Sequence, residues 1–108
     1  MVIRRGSTPR ITAKVIDDIE LSSIKAVWLT VSQGIGEDKH IALDKVTSDL
    51  TINGRLVSVV LTQEETLSLV GGVISYIQIR LLDDEDIAYV SQQEFITIED
   101  VLKGGVLV

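Results

Sequence analysis

The side chains able to do chemistry are few in this sequence and poorly assorted. His40 is the single histidine of 108 residues and there is no cysteine, which excludes multi-histidine metal centres, thiolate nucleophiles and disulfides. Glu37, Asp38 and Asp44 lie near His40 in sequence, but a strand would scatter them over two faces, so His40 reads as a surface residue. The acidic run Asp83-Asp84-Glu85-Asp86 invites a calcium loop. Counted as an EF-hand from Asp83, its sixth position is Ala88, where that loop needs glycine, and the run reads instead as a solvated hairpin tip. Gly34-Ile35-Gly36 opens like a dinucleotide loop, but the last glycine position is Lys39 and no helical pattern follows. Serines and threonines are numerous, yet no histidine-plus-acid arrangement would activate one. These residues predict no enzyme, no cofactor and no metal site. A hydrolase using the scattered carboxylates is a third reading behind the two developed below.

The chain is long enough for one hydrophobic core and too short for two, so residues 1–108 are expected to form one domain, with 1–9 an extended N-terminal arm and 99–108 a C-terminal tail. Apolar residues make up 45% and only 4% are aromatic; the remainder is mostly Val, Ile and Leu, which suit a pleated, half-buried surface. The net charge of −6 argues against nucleic-acid binding, which needs clustered Lys and Arg. Basic residues gather at the start, where Arg4, Arg5, Arg10 and Lys14 precede any acid. That start is either a contact for an acidic neighbour or a solvated arm. The opening MVIRRGSTPR has no apolar run after its arginines and does not read as a secretory signal. The longest apolar or glycine run, Leu69 to Ile74, is far below the roughly 20 residues of a membrane-spanning helix. The expectation is a product not secreted by a signal peptide and without membrane contact.

Period-two alternation marks the strands. Arg10 to Ile16 places Ile11, Ala13 and Val15 on one face, and Lys25 to Gln33 places Val27, Leu29 and Val31 inward with Trp28 on the opposite face. Short strands are expected at Lys39 to Leu43 and Leu50 to Ile52, with Asp44 to Asp49 irregular, and Asn53-Gly54 signals a tight hairpin. Val57, Val59 and Leu61 form the next inward face. Thr62-Gln63-Glu64-Glu65 has a hydroxyl followed three residues on by a carboxylate, the pattern of a capping box, and predicts a helix of about two turns near 63–70 that Gly71-Gly72 stops. Val73 to Leu82 alternates again, with Val73, Ile77, Ile79 and Leu81 inward and Tyr76, Gln78 and Arg80 outward. Ile87 to Ile98 returns as a strand, bulged near Ser91-Gln92-Gln93 where alternation fails. Glu99 to Lys103 is expected to form one helical turn. About seven strands and one short helix predict an all-β, antiparallel β-sandwich. The strand, short helix and following strand, with Tyr76 four residues after the glycine pair, resemble the E–F corner of immunoglobulin-like domains.

If the strands at 25–33 and 73–82 are neighbours, their outer faces carry Trp28 and Tyr76, expected to face each other. Two of the few aromatics would then point away from the aliphatic core, as at interface centres. The alternative is that the arm or tail of the same chain covers Trp28. The expected contact residues are Arg4, Arg5, Trp28, Tyr76, Arg80, Val106, Leu107 and Val108. A mean hydropathy of +0.33 and the apolar end GVLV favour self-association. Small-molecule ligands are not expected.

Four segments carry a resemblance to a known group: Ile3-Arg4-Arg5-Gly6-Ser7-Thr8-Pro9, Lys25-Ala26-Val27-Trp28-Leu29-Thr30-Val31, Leu61-Thr62-Gln63-Glu64-Glu65-Thr66-Leu67 and Ile77-Gln78-Ile79-Arg80-Leu81-Leu82. Together they resemble small β-sandwich proteins encoded among the structural genes of phages and prophages of Gram-positive bacteria and, more loosely, N-terminal domains of phage baseplate proteins. The resemblance implies a non-enzymatic tail- or baseplate-region component of the virion, present in the bacterial cytoplasm during assembly. Its partners would be copies of itself (a homo-oligomer) and other phage structural proteins, with no catalytic residues. A long C-terminal extension is missing, which leaves a receptor-binding role unsupported. The alternative from a different class is a carbohydrate-binding or adhesin-like module that uses Trp28 and Tyr76 as a stacking platform.

Overall fold

The computed structural model describes residues 1–14, 23–47, 51–53, 56–91 and 93–107. The inward Val15, the start of the expected strand at Leu50, the hairpin residue Gly54 and the contact residue Val108 lie outside them. Among these residues nine strands and one α-helix follow in chain order: β1 (Val2–Arg4), β2 (Arg10–Lys14), β3 (Ile24–Gln33), β4 (His40–Thr47), β5 (Thr51–Asn53), β6 (Leu56–Val60), α1 (Gln63–Leu67), β7 (Ser75–Asp83), β8 (Ala88–Val90) and β9 (Glu94–Glu99). A short 3-10 turn at Gly36–Asp38 precedes β4.

The strands form two sheets. The larger has the order β1-β9-β7-β3-β4, with β8 also on β7, and the smaller has the order β2-β6-β5. This is an all-β, immunoglobulin-like sandwich: β2-β6-β5 occupy the places of strands B, E and D, and β9-β7-β3-β4 those of G, F, C and C′. Pairing is antiparallel except between β1 and β9, which run parallel with Val2 opposite Thr97. Val2–Arg4 of the N-terminal arm are therefore an edge strand of the large sheet.

The core lies between the sheets and follows the alternation. Val27, Leu29 and Val31 of β3 and Ile77, Ile79 and Leu81 of β7 meet Ile11, Val57 and Val59 of the smaller sheet, closed by Ile3, Leu61, Leu69, Ile96 and Ile98. Truncating a fully buried member such as Leu29 to alanine removes about 2–5 kcal/mol.

Five expectations are corrected. Nine strands stand among the described residues instead of about seven, because β1 adds an edge strand in the arm and the strand expected at Ile87 to Ile98 is divided: β8 pairs with Arg80 to Leu82 and β9 with Ser75 to Ile77. At the break Ser91 N–H donates to the Ile79 carbonyl, and the Ile79 N–H donates to Ser91 Oγ, both at 2.9 Å. Where the alternation fails the strand is interrupted, and the serine hydroxyl takes the place of a ladder acceptor. β4 continues through Asp44 to Thr47, since β3 supplies partners as far as Val27 opposite Thr47. α1 ends at Leu67 rather than near 70. Leu69 is drawn into the core, and the Val70 backbone is taken at both ends by Gln33, whose Oε1 accepts from Val70 N–H (2.9 Å) while Nε2 donates to its carbonyl (2.8 Å). The inward slot expected for Val73 belongs to Ser75, because pairing with β3 begins at Ser75 opposite Gln33. The helical turn expected at Glu99 to Lys103 is absent; β9 runs to Glu99 and the chain then bends.

The interval 34–39 shows why a glycine stands there. Gly34 has φ +93°, and a Cβ at this position would lie 2.5 Å from the Asp38 carbonyl oxygen. Its N–H donates to Ile74 O at 2.9 Å, tying the β3–β4 turn to the start of β7.

Candidate functional site: the outer face of the large sheet

The residues of β3 and β7 that do not enter the core point to the open side of the large sheet, and the register places them in rows. Trp28 lies opposite Arg80 on β7 and Val46 on β4, and Arg80 lies opposite Val90 on β8. Two residues along, Thr30 lies opposite Gln78 and Asp44. Two further on, Ser32 lies opposite Tyr76 and, past a register shift in β4, Ile41; Tyr76 in turn lies opposite Phe95 on β9. Apolar side chains thus occupy two ends of the face with a polar row between them. Val46, Val90, Ile41 and Phe95 are 55%, 58%, 60% and 57% exposed.

The central row is internally satisfied. Thr30 Oγ1 donates to Asp44 Oδ1 at 2.7 Å, and Gln78 Nε2 donates to the Ser91 carbonyl at 2.9 Å. Arg80 reaches Asp44 at 3.8 Å while its guanidinium lies 6.0 Å from the centre of the Trp28 ring, within cation–π range. Tyr76 and Phe95 meet edge to face, with centroids 5.9 Å apart and an interplanar angle of 77°. Trp28 and Tyr76 share the face but do not meet: Arg80 is the partner of Trp28, and Tyr76 sits four residues before it on β7. The arm does not cover Trp28 either, since β9 and β7 stand between β1 and β3. A depression of about 100 Å³ beside Tyr76, lined in part by Thr30, Ser32, Ile41, Gln78 and Gln93, is well below the ~300–1,000 Å³ of ligand pockets.

The remaining expected contact residues are placed apart from this face. Arg4 pairs with Glu99 at 3.0 Å, in the open. Arg5 is drawn inward: it pairs with Asp100 and donates through Nη2 to the Leu67 carbonyl at 3.1 Å, at the end of α1. Hydrogen bonds from Arg5 and from Val101 N–H hold the Asp100 carboxyl below its ordinary 3.8. Gly6 N–H donates to Thr66 Oγ1 (2.9 Å), which donates to the Ser7 carbonyl (2.8 Å). The basic segment is therefore stitched to the β6–α1–β7 crossover of its own chain. Val106 and Leu107 are exposed, with the Leu107 backbone held by Gln63.

The groups first considered for chemistry have structural employment. His40 Nδ1 lies 3.0 Å from the Asp38 carbonyl. The buried Asp83 accepts from Glu85 N–H and Ile87 N–H through Oδ1, both at 2.9 Å, and lies 3.4 Å from the Tyr89 hydroxyl, so it organises the hairpin in which Asp86 adopts φ +62°. Asp86 pairs with Lys25, and that hydrogen bond, above all, raises the Lys25 pKa against the smaller opposing effect of desolvation. Among the described residues no group of three His, Asp or Glu side chains is placed to hold a metal ion.

Sequence reasoning did not find Lys45. It lies opposite Leu29 on the inward side of β4 and reaches across the sandwich to the Val60 carbonyl and Glu65 Oε1, each at 2.8 Å. Glu65 also completes the capping box, accepting from Thr62 N–H at 2.8 Å. Burial pushes the Glu65 pKa up, but the hydrogen bonds from Lys45 and Thr62 outweigh it and hold the carboxyl below 4.5.

No family model matches the chain and no curated protein matches it. Among solved structures it is similar to the extracellular domain of the voltage-gated sodium channel beta4 subunit, described as parallel homodimers that explain a role in cell–cell adhesion. The identity is 14%, over 94% of this chain and 91% of that one, with a TM-score of 0.43. At that level the likeness adds nothing to the strand order already described.

Proposed function

We propose that this protein is a non-enzymatic phage or prophage structural protein of the tail or baseplate region, acting by self-association or by docking to neighbouring virion proteins. The phage setting rests on the four resembling segments of the sequence. The mode of action rests on one observation: a sheet face whose two ends expose Ile41, Val46, Val90 and Phe95 beside the half-buried Trp28 and Tyr76.

The strands of the large sheet, at about 4.8 Å spacing and about 3.4 Å rise per residue, make a face of roughly 640 Å², somewhat below the ~800 Å² per partner of a stable interface. The row pattern suits a two-fold axis. An axis through the Thr30–Gln78 row lays the Trp28 end of one copy on the Tyr76 end of its partner, so apolar meets apolar and the polar row meets itself. Sedimentation equilibrium across a concentration series tests this. The wild-type chain is expected to associate and Phe95→Asp to lose the two-fold dimer with an unchanged circular dichroism spectrum; a wild-type monomer at millimolar concentration overturns the reading. Flanking capsid, portal or tail genes would support the phage setting, and a neighbourhood without them would count against it.

The carbohydrate-binding alternative draws on the same aromatics. Arg80 lies over the Trp28 ring and Tyr76 is offset along the strand, so the two rings do not form one stacking platform. A sugar titration followed by the fluorescence of the single tryptophan separates the readings, a saturable change favouring the alternative.

A further inference from the structure

A second contact device lies away from the sheet face. Gln63, the first residue of α1, holds Leu107 by its backbone alone: Leu107 N–H donates to Gln63 Oε1 at 2.6 Å, and Gln63 Nε2 donates to the Leu107 carbonyl at 3.2 Å. A side-chain amide here makes the two hydrogen bonds that a neighbouring β-strand would make to one residue. The grip ignores the side chain, and that of Leu107 is left 79% exposed. Every described residue from 101 to 107 is exposed, Leu102 completely.

The segment therefore carries four apolar side chains (Val101, Leu102, Val106 and Leu107) that its own domain does not bury. Gly104 and Gly105 stand between the two apolar pairs with open space around both, Gly105 at φ +120°, and supply a pivot that few other residues would permit. Two hydrogen bonds in water-exposed surroundings weigh little against the entropy of ordering such a segment, so the clasp within one chain is readily released. A segment with a pivot within it, held at its far end by a releasable clasp, can form the same clasp with a neighbour, as in the exchange of identical elements between protomers.

We propose that residues 101–107 are an exchangeable docking strand that grips Gln63 of its own chain in an isolated copy and Gln63 of an adjacent copy in an assembly. The occupant is a second copy of this chain, because the clasp already fits this stretch of backbone. Each copy has one strand to give and one clasp to fill, so two copies can exchange strands reciprocally in a closed dimer or pass them on head-to-tail in a ring or a filament; either contact is separate from that of the sheet face.

Complementation tests it. One variant, Gln63→Leu, keeps the strand and lacks the clasp; a second, ending at Asp100, keeps the clasp and lacks the strand. Both carry Phe95→Asp, so that success or failure of the sheet-face contact does not enter the reading. Alone, each is expected to sediment as one copy; mixed, they should sediment at twice that mass. As an independent readout, the isotope-labelled variant ending at Asp100 is titrated with a synthetic peptide of residues 101–107, which should shift the Gln63 side-chain amide signals. The peptide arm needs no folded Gln63→Leu chain. A doubled mass on mixing together with shifted Gln63 signals would sustain the proposal; an unchanged mass on mixing two variants whose circular dichroism shows them folded would overturn it.

Discussion

Replacing Lys45 with methionine should destabilise the fold by about 2 kcal/mol, and the loss should fade in acid. Lys45 Nζ joins β4 to the Val60 carbonyl and to Glu65 across the sandwich, and the two charged side chains are 20% and 22% exposed. Exposed pairs contribute about 0–1 kcal/mol, whereas breaking a buried pair costs roughly 3–5 kcal/mol; a pair one-fifth exposed belongs between these limits. Methionine keeps most of the aliphatic stem, so the change reports on the ammonium group. In a domain of this size about 2 kcal/mol lowers Tm by about 8 °C and the urea midpoint by about 1 M. The sign with pH follows from Glu65. Its folded pKa lies below the ordinary 4.5, so the ionised carboxylate stabilises the fold above 4.5 and that contribution is lost as pH falls through the folded value. The gap between wild type and Lys45→Met, measured by urea unfolding at pH 7 and pH 3, should therefore be larger at pH 7. A gap that is the same at both, or below about 0.5 kcal/mol at pH 7, would refute the reasoning.

Other substitutions probe the devices that shape the sheet. Gly34→Ala places a Cβ 2.5 Å from the Asp38 carbonyl oxygen at φ +93° and should cost about 2 kcal/mol or more, read as a fall in Tm. Asp83→Ala removes the acceptor of two backbone N–H groups and should cost about 2 kcal/mol, with hydrogen exchange accelerated first at Glu85 and Ile87. Gln33→Leu leaves the Val70 N–H and carbonyl without their partners; a loss of about 2–3 kcal/mol is expected in urea unfolding, and a neutral result would show that water replaces the glutamine.

What could be read in advance was what is encoded locally. Val27-Leu29-Val31 and Ile77-Ile79-Leu81 announce their burial by alternation, because side chains of a strand point to opposite faces with period two. The Thr62–Glu65 capping box and the Asp83–Asp86 hairpin are likewise short-range patterns, and both are present. What escaped was set by distant partners. α1 stops at Leu67 because Gln33, on another strand, occupies the backbone of Val70. The 44–47 segment looked irregular because Lys45 is a charged residue pointing inward, explained only by Glu65 across the sandwich. Arg5 looked like part of a free basic arm and is in fact spent on Asp100 and Leu67. The outward direction of Trp28 and Tyr76 was legible from parity; their four-residue offset depends on the β3–β7 register, which no local pattern fixes.

The central claim is that the outer face of the large sheet is a contact surface. It is tested most directly by following backbone amide signals of the isotope-labelled wild-type chain through serial dilution from millimolar to micromolar concentration. Shifts are expected to cluster at Ile41, Val46, Val90 and Phe95, to fade together on dilution and to be absent from Phe95→Asp. Concentration-independent signals, or shifts gathered on the β2-β6-β5 sheet, would contradict it.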